Sequence, residues 1–269
     1  MKDKVRNNDM LTFGGHLEVF RQILFRVLGV IGIIAVAVFC LKDITWQILL
    51  APSEWNFVTY RLVEQCMQVV GFTDFRIEEY HVDLIATDLS SQFMTHITTA
   101  IYLGVLGASP YILYELFRFV SPALYENERK YSIPITIVIY ALFLLGVFMN
   151  YYVLFPISFR FLGTYNVSER VHSSITLDSY VSTFTTLTLL MGTVFQLPVI
   201  TLLLSKLGIV TSTMLSAYRK HALLLIMLVA AIITPPDLMT LILVSIPLYI
   251  LYEISIRVAR RYEKRSEYR

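Results

Sequence analysis

The sequence predicts an all-α integral membrane protein with six transmembrane helices, and three observations lead there. Apolar residues make up 56% of its 269 positions and charged residues 16%, with a mean hydropathy of +0.64; soluble domains are roughly half apolar and a quarter charged. The stretches Leu89 to Tyr114, Tyr131 to Phe159 and Ser179 to Ser205 carry no formal charge, and each exceeds the ~20 residues that cross ~30 Å of hydrocarbon as a helix. Two adjacent prolines, Pro235 and Pro236, split a further apolar stretch that has a single charge, Asp237, between Lys220 and Glu253. Soluble helices this long would carry charges along an outer stripe, and a closed barrel would read as alternating segments of roughly ten residues.

The elements follow in chain order. Basic residues precede an apolar run from Val27 to Leu41 with no convincing small-residue cleavage site behind it, so a first helix at about 22–42 is read as uncleaved. Further helices are expected at about 92–117, 132–155, 179–205, 219–233 and 238–257, all in a single polytopic domain. The last two are expected to be short, because Pro235 and Pro236 force a break between them. The apolar run Ala222 to Ile233 spans only ~18 Å as helix, less than the bilayer core.

Lysine and arginine set the orientation. Seventeen of the 22 lie in the N-terminal segment through Arg26, the 2/3 loop, the 4/5 loop and the C-terminal tail. Both termini and these loops are therefore expected on the cytoplasmic side, with 43–91 and 156–178 as outer loops. The first outer loop carries eight acids and enough apolar residues to pack as an ordered cap. Cys40 and Cys66 have no metal-site spacing and are expected to be free. With a net charge of +2 and no basic stripe with interleaved aromatics away from the helix ends, no nucleic-acid partner is expected.

No His-Glu-x-x-His, Gly-x-Ser-x-Gly, Walker lysine loop or Gly-x-Gly-x-x-Gly occurs, so neither an enzyme nor a cofactor is expected. Ser109 is followed directly by Pro110, and no later helix offers a mid-membrane histidine as its base; small residues for helix packing explain it better. Asp237 is read as a cap for the helix beginning at Leu238, and both Pro52 and Asp237 are placed on the outer face. His16, His96 and His221 form no chain and receive no proton role.

The strongest local feature is the 2/3 segment, Phe117 through Lys130, which sets aromatics, Pro122 and the carboxylates of Glu126 and Glu128 at the membrane interface. A carboxylate in a partly dry interface suits a guanidinium, whose planar fork makes two charge-assisted bonds and is weakly hydrated. On the residues alone two roles stay open for these acids: binding such a ligand, or pairing with Arg129 and Lys130 in the first turn of helix 3.

The pattern Phe119-x-x-Pro122-x-Leu124-Tyr125-x-x-Glu128-Arg129 resembles the signature of the TatC family, the polytopic core of the twin-arginine translocase. The resemblance extends through His16-Leu17-Glu18 with Arg21, Ala51-Pro52, Ile85-Ala86-Thr87-Asp88, Pro110-x-Ile112-Leu113-Tyr114, Phe155-Pro156, Leu197-Pro198, Thr234-Pro235-Pro236-Asp237 and Tyr252-Glu253. It implies a non-catalytic receptor that binds twin-arginine signal peptides of folded cargo at the cytoplasmic face and recruits single-span TatA/TatB-type subunits for protonmotive-force-driven export. Other copies of the chain and membrane lipids are the remaining implied partners.

In that reading Glu128 receives an arginine, Phe119, Pro122, Leu124, Tyr125 and Arg129 shape the site, and the segment with Glu18 and Arg21 completes it. The family pattern has glutamate where this chain has Val19; Glu18 beside it is rotated by ~100° on a helix. The outer loop from Pro52 to Ile85 is also longer than the family's usual one. Gln196 stands where the family carries Glu or Gln facing the interior. It either contacts a single-span partner helix or makes one interhelical hydrogen bond of ~1 kcal/mol. The competing reading is a secondary transporter of a small solute, which would show paired broken helices in two related halves.

Overall fold

In the computed structural model, residues 13–71, 79–120, 132–165, 168, 174–234 and 237–267 are described. The chain forms α1 (Phe13–Cys40), α2 (Lys42–Leu50), a 3-10 turn (Ala51–Ser53), α3 (Val58–Val70), β1 (Leu84–Ile85), α4 (Ser91–Val120) and α5 (Ser132–Met149). After a π-helical turn (Asn150–Leu154) come α6 (Phe155–Thr164), β2 (Ile175–Thr176), α7 (Leu177–Val194), α8 (Leu197–Lys206), α9 (Ser212–Ala217), α10 (Arg219–Ile233) and α11 (Leu238–Glu267). Glu18–Cys40, Ser91–Arg118, Thr136–Thr164, Leu177–Lys206 and Leu238–Lys264 are long and apolar enough to cross a membrane. The sixth crossing is α10, whose 15 residues extend only ~22 Å.

Several boundaries differ from expectation. The first helix starts at Phe13 rather than near 22, and the third span runs to Thr164, into the segment read as outer loop. Pro156 looks like a stop, but the helix continues through it, and the Tyr152 carbonyl four residues before it accepts instead from the Thr59 hydroxyl. The preceding π turn absorbs the register change. The fourth span is split at Phe195-Gln196, with Pro198 in the first turn of α8. Pro110 lies inside α4 and Pro247 inside α11 without ending either. The sixth helix, expected to be short, has 30 residues: only its apolar part, up to Glu253, is short, and the rest is a charged extension.

Small residues bring the spans together. A Cβ on Gly104 of α4 would lie 2.9 Å from the Ala35 Cβ of α1. One on Gly192 of α7 would lie 2.6 Å from the Phe143 ring of α5, so close approach requires glycine there. The main core lies around α7, where Tyr180, Val181, Phe184, Leu187 and Met191 are buried against Leu154, Phe155, Val244 and Leu248.

At one end parts of the two segments read as outer loops form a cap held by tyrosine hydroxyls. Tyr180 donates to the Leu49 carbonyl (2.7 Å), Tyr60 to the Pro156 carbonyl (2.7 Å), Tyr151 to the Ile48 carbonyl (2.8 Å), and Tyr80 to the Tyr60 oxygen (2.9 Å). The Arg160 guanidinium lies 5.6 and 5.5 Å from the Tyr60 and Tyr80 ring centres, within cation–π range. Burial pushes both phenols above their ordinary value, so they stay protonated and can donate. β1 and β2 pair in parallel, Leu84 with Ile175 and Ile85 with Thr176, tying the loops on either side of the cap. At the opposite end Glu263 of α11 accepts from the backbone N–H (2.6 Å) and the hydroxyl of Ser212, fastening the charged extension to α9.

Candidate functional site

Two regions combine access with polar side chains. The first is a cavity of about 550 Å³ between α4, α5, α7 and α8. Val105, Ile112, Phe143, Leu189, Val199 and Leu203 are among its wall residues, and Ser109, Thr193 and Gln196 are its polar members. Gln196 sits at the α7–α8 break, buried, and donates from Nε2 to the Ile139 carbonyl of α5 at 3.0 Å. A side-chain amide with one bond made retains acceptor and donor capacity toward the cavity, and an intramembrane polar group placed this way is a site candidate.

The second region is the end of the molecule that carries the starts of α1 and α5, the end of α4, and α9. Glu18 and Arg21 lie on α1, 64% and 67% exposed, and approach each other at 3.8 Å; as a solvent-exposed i,i+3 pair they leave both groups accessible to a ligand. Phe119 lies in the last turn of α4, whose backbone alone is described there; Pro122, Leu124, Tyr125, Glu126, Glu128 and Arg129 lie outside the described residues. The ends of α4 and α5 that flank this segment, Val120 and Ser132, belong to two adjacent spans.

Sequence reasoning passed over two polar groups. Glu115 of α4 is only 4% exposed, accepts from the Tyr111 hydroxyl at 3.0 Å and lies 3.9 Å from the Arg118 guanidinium. It falls just past the charge-free run Leu89 to Tyr114, inside the helix expected at 92–117, and a carboxylate within an expected span was the available signal. Asn150, wholly buried in the π turn, donates to Thr188 Oγ1 at 2.8 Å, and Thr188 donates to the Phe184 carbonyl at 2.7 Å. An asparagine inside the run 131–159 was the available signal.

Of the two residues placed on the outer face, Pro52 is buried in the 3-10 turn. Asp237 Oδ1 accepts from the Thr240 N–H at 2.6 Å, a capping contact at the start of α11. Cys40 and Cys66 are free and exposed. Among the described residues no cluster of His, Cys, Asp and Glu could hold a metal.

Fold and site together define a polytopic, predominantly helical membrane protein with an apolar cavity beside one broken span and a capped end opposite its charged loops. Residues 15–247 match the family model described as Sec-independent protein translocase protein (TatC), and the chain belongs to that family. The Sec-independent protein translocase protein TatC of Blattabacterium sp. subsp. Periplaneta americana (strain BPLAN) is 31% identical over 259 residues, 95% of this chain and 97% of that protein. TatCy of Bacillus subtilis (strain 168) is 37% identical over 190 residues, 71% of this chain and 75% of that protein. A crystal structure titled as the twin-arginine translocase receptor TatC superposes with a TM-score of 0.72 at 28% identity, covering 91% of this chain and 98% of that one.

Proposed function

We propose that this chain is the receptor subunit of a twin-arginine protein translocase, binding the arginine pair of a signal peptide at the end formed by the α1 start and the α4–α5 connection. The observation that carries the reading is likeness over nearly the full length, 91% of this chain, to a protein titled as that receptor, joined to the motif from Phe119 to Arg129. Glu128 is the guanidinium acceptor, with Phe119, Pro122, Leu124, Tyr125 and Arg129 around it, and Glu18 and Arg21 on the neighbouring helix start. A carboxylate at the interface prefers a guanidinium over an ammonium because only the former makes a bidentate, weakly hydrated pair.

Gln196 and the cavity beside it serve single-span TatA/TatB-type subunits. The lysine and arginine distribution supports an orientation with the termini and the α4–α5 and α8–α10 connections in the cytoplasm and the capped end outside the bacterial inner membrane. The chain acts as scaffold and receptor, without a catalysed reaction or a cofactor. A transporter of a small solute is the weaker reading, since family membership points to protein translocation.

The test is binding of a fluorescent twin-arginine signal peptide to the purified chain in detergent, against its twin-lysine variant. Loss of affinity by roughly tenfold or more for lysine supports the reading. Equal affinity for both peptides overturns it.

A further inference from the structure

Most apolar surface on this molecule belongs to its spans, but one exposed apolar face belongs to an outer helix. Along α3, Val58 (50% exposed), Leu62 (54%) and Val69 (88%) are exposed together with Cys66, and Trp55 (45%) stands exposed just ahead of the helix. At ~100° per residue Val58, Leu62, Cys66 and Val69 fall within an arc of about 80°. The helix has two other faces: Thr59 and Tyr60 are buried against the protein, while Arg61, Glu64 and Gln68 lie together on a polar face. An α3 that merely rested on the cap in water would need the protein-facing and polar faces only.

The start of α3 adjoins the exposed side of the third span. Phe57, the residue before α3, stacks on Tyr152 with centroids 5.8 Å apart and planes 12° apart, and Tyr152 in turn meets Phe148 at 6.3 Å. Tyr152 and Phe148 are 42% and 52% exposed on the third span. Thr59 also donates its hydroxyl to the Tyr152 carbonyl, pinning the start of α3 at that depth. Phe148 and Tyr152 are thus exposed beside the start of α3, where Trp55 is exposed as well, and tyrosine and tryptophan favour the boundary between acyl chains and headgroups.

We infer that α3 is an interfacial helix, seated in the membrane surface with Val58, Leu62, Cys66 and Val69 among lipid acyl chains and Arg61 and Gln68 toward water. The cap is then fastened from two sides, by tyrosine hydroxyls to the span ends and by α3 to the lipid. Gly71, at φ +110, ends the helix in a left-handed turn where other residues are strained, so the stripe ends with it.

The test uses the chain's own cysteine. The Cys40→Ser protein is labelled with a nitroxide at Cys66 and reconstituted into phosphatidylcholine–phosphatidylglycerol vesicles with nickel chelate on both sides. Collision rates with oxygen and with the chelate are then compared. A Cys40→Ser/Cys66→Ser/Gln68→Cys protein places the label ~160° around the same helix. The inference predicts an oxygen-to-nickel accessibility ratio at Cys66 that exceeds the one at position 68 by roughly threefold or more. Equal ratios with frequent nickel collisions at both positions would mean that the stripe faces water. Exclusion of both reagents from Cys66 would mean that a second copy or another protein covers it. Either result overturns the inference.

Discussion

Arg219 at the start of α10 and Glu253 in the middle of α11 form a two-pronged ion pair, Nε to Oε1 at 2.7 Å and Nη2 to Oε2 at 3.1 Å. The pair closes the hairpin of the short span at the end opposite its proline break. Tyr252 beside it donates to the Leu215 carbonyl of α9 at 2.8 Å. Because α10 is too short to be held by its length in the bilayer, these polar ties fix where it sits.

Arg219→Lys is therefore expected to behave as a loss, since an ammonium cannot reproduce the fork. The groups are 43% and 25% exposed, so solvent screens part of the attraction and the loss is modest. A fall of ~2–4 °C in the melting midpoint in detergent checks it, and an unchanged midpoint for Arg219→Lys would refute it.

The crossing of α5 and α7 depends on absent side chains. A Cβ on Gly146 would meet the Met191 backbone closer than van der Waals contact permits. Gly146→Ala is expected to cost ~1–3 kcal/mol through helix displacement. Gly29→Ala on α1, where a Cβ meets nothing within 4 Å, is expected within about 0.5 kcal/mol of the parent. Thermal unfolding of the two variants side by side measures the difference.

The cap carries a pH signature. Tyr60 and Tyr80 are raised above the ordinary phenol value chiefly by burial, so the folded state favours their neutral forms. Their stabilisation is fully present below about pH 10 and falls as pH rises beyond it. Melting from pH 8 to 11 should show the parent chain losing its advantage over Tyr60→Phe/Tyr80→Phe above about pH 10. A constant gap across that range would contradict the account.

Gln196→Leu separates packing from partnership. Removing one interhelical hydrogen bond costs ~1 kcal/mol, which a melting curve reads. Recruitment of a single-span subunit through the cavity predicts, in addition, loss of that subunit on co-purification while signal-peptide binding is kept.

The spans were legible because charge-free runs longer than the bilayer have no other explanation, and the end of α10 because Pro235-Pro236 stops a helix. Hydropathy could not show the break at Gln196, since Phe195 and Leu197 on either side are as apolar as a continuous span. The third span was expected to end at 155, whereas it continues past Pro156 through a π turn that no local residue marks. The cap's organisation rests on hydroxyl contacts between residues as distant as Leu49 and Tyr180, and a pairing of two residues per strand is too short to read. Of the proposed site only the motif from Phe119 to Arg129 was legible, because recognition of a guanidinium leaves no hydrophobic period in a sequence.

The central claim is that Glu128 receives an arginine of the signal peptide. A photoreactive residue at Tyr125 in inverted membrane vesicles, offered a radiolabelled twin-arginine precursor, tests it most directly. The account predicts a crosslink that disappears with a twin-lysine precursor and with a Glu128→Ala receptor. Labelling that persists through both changes would contradict it.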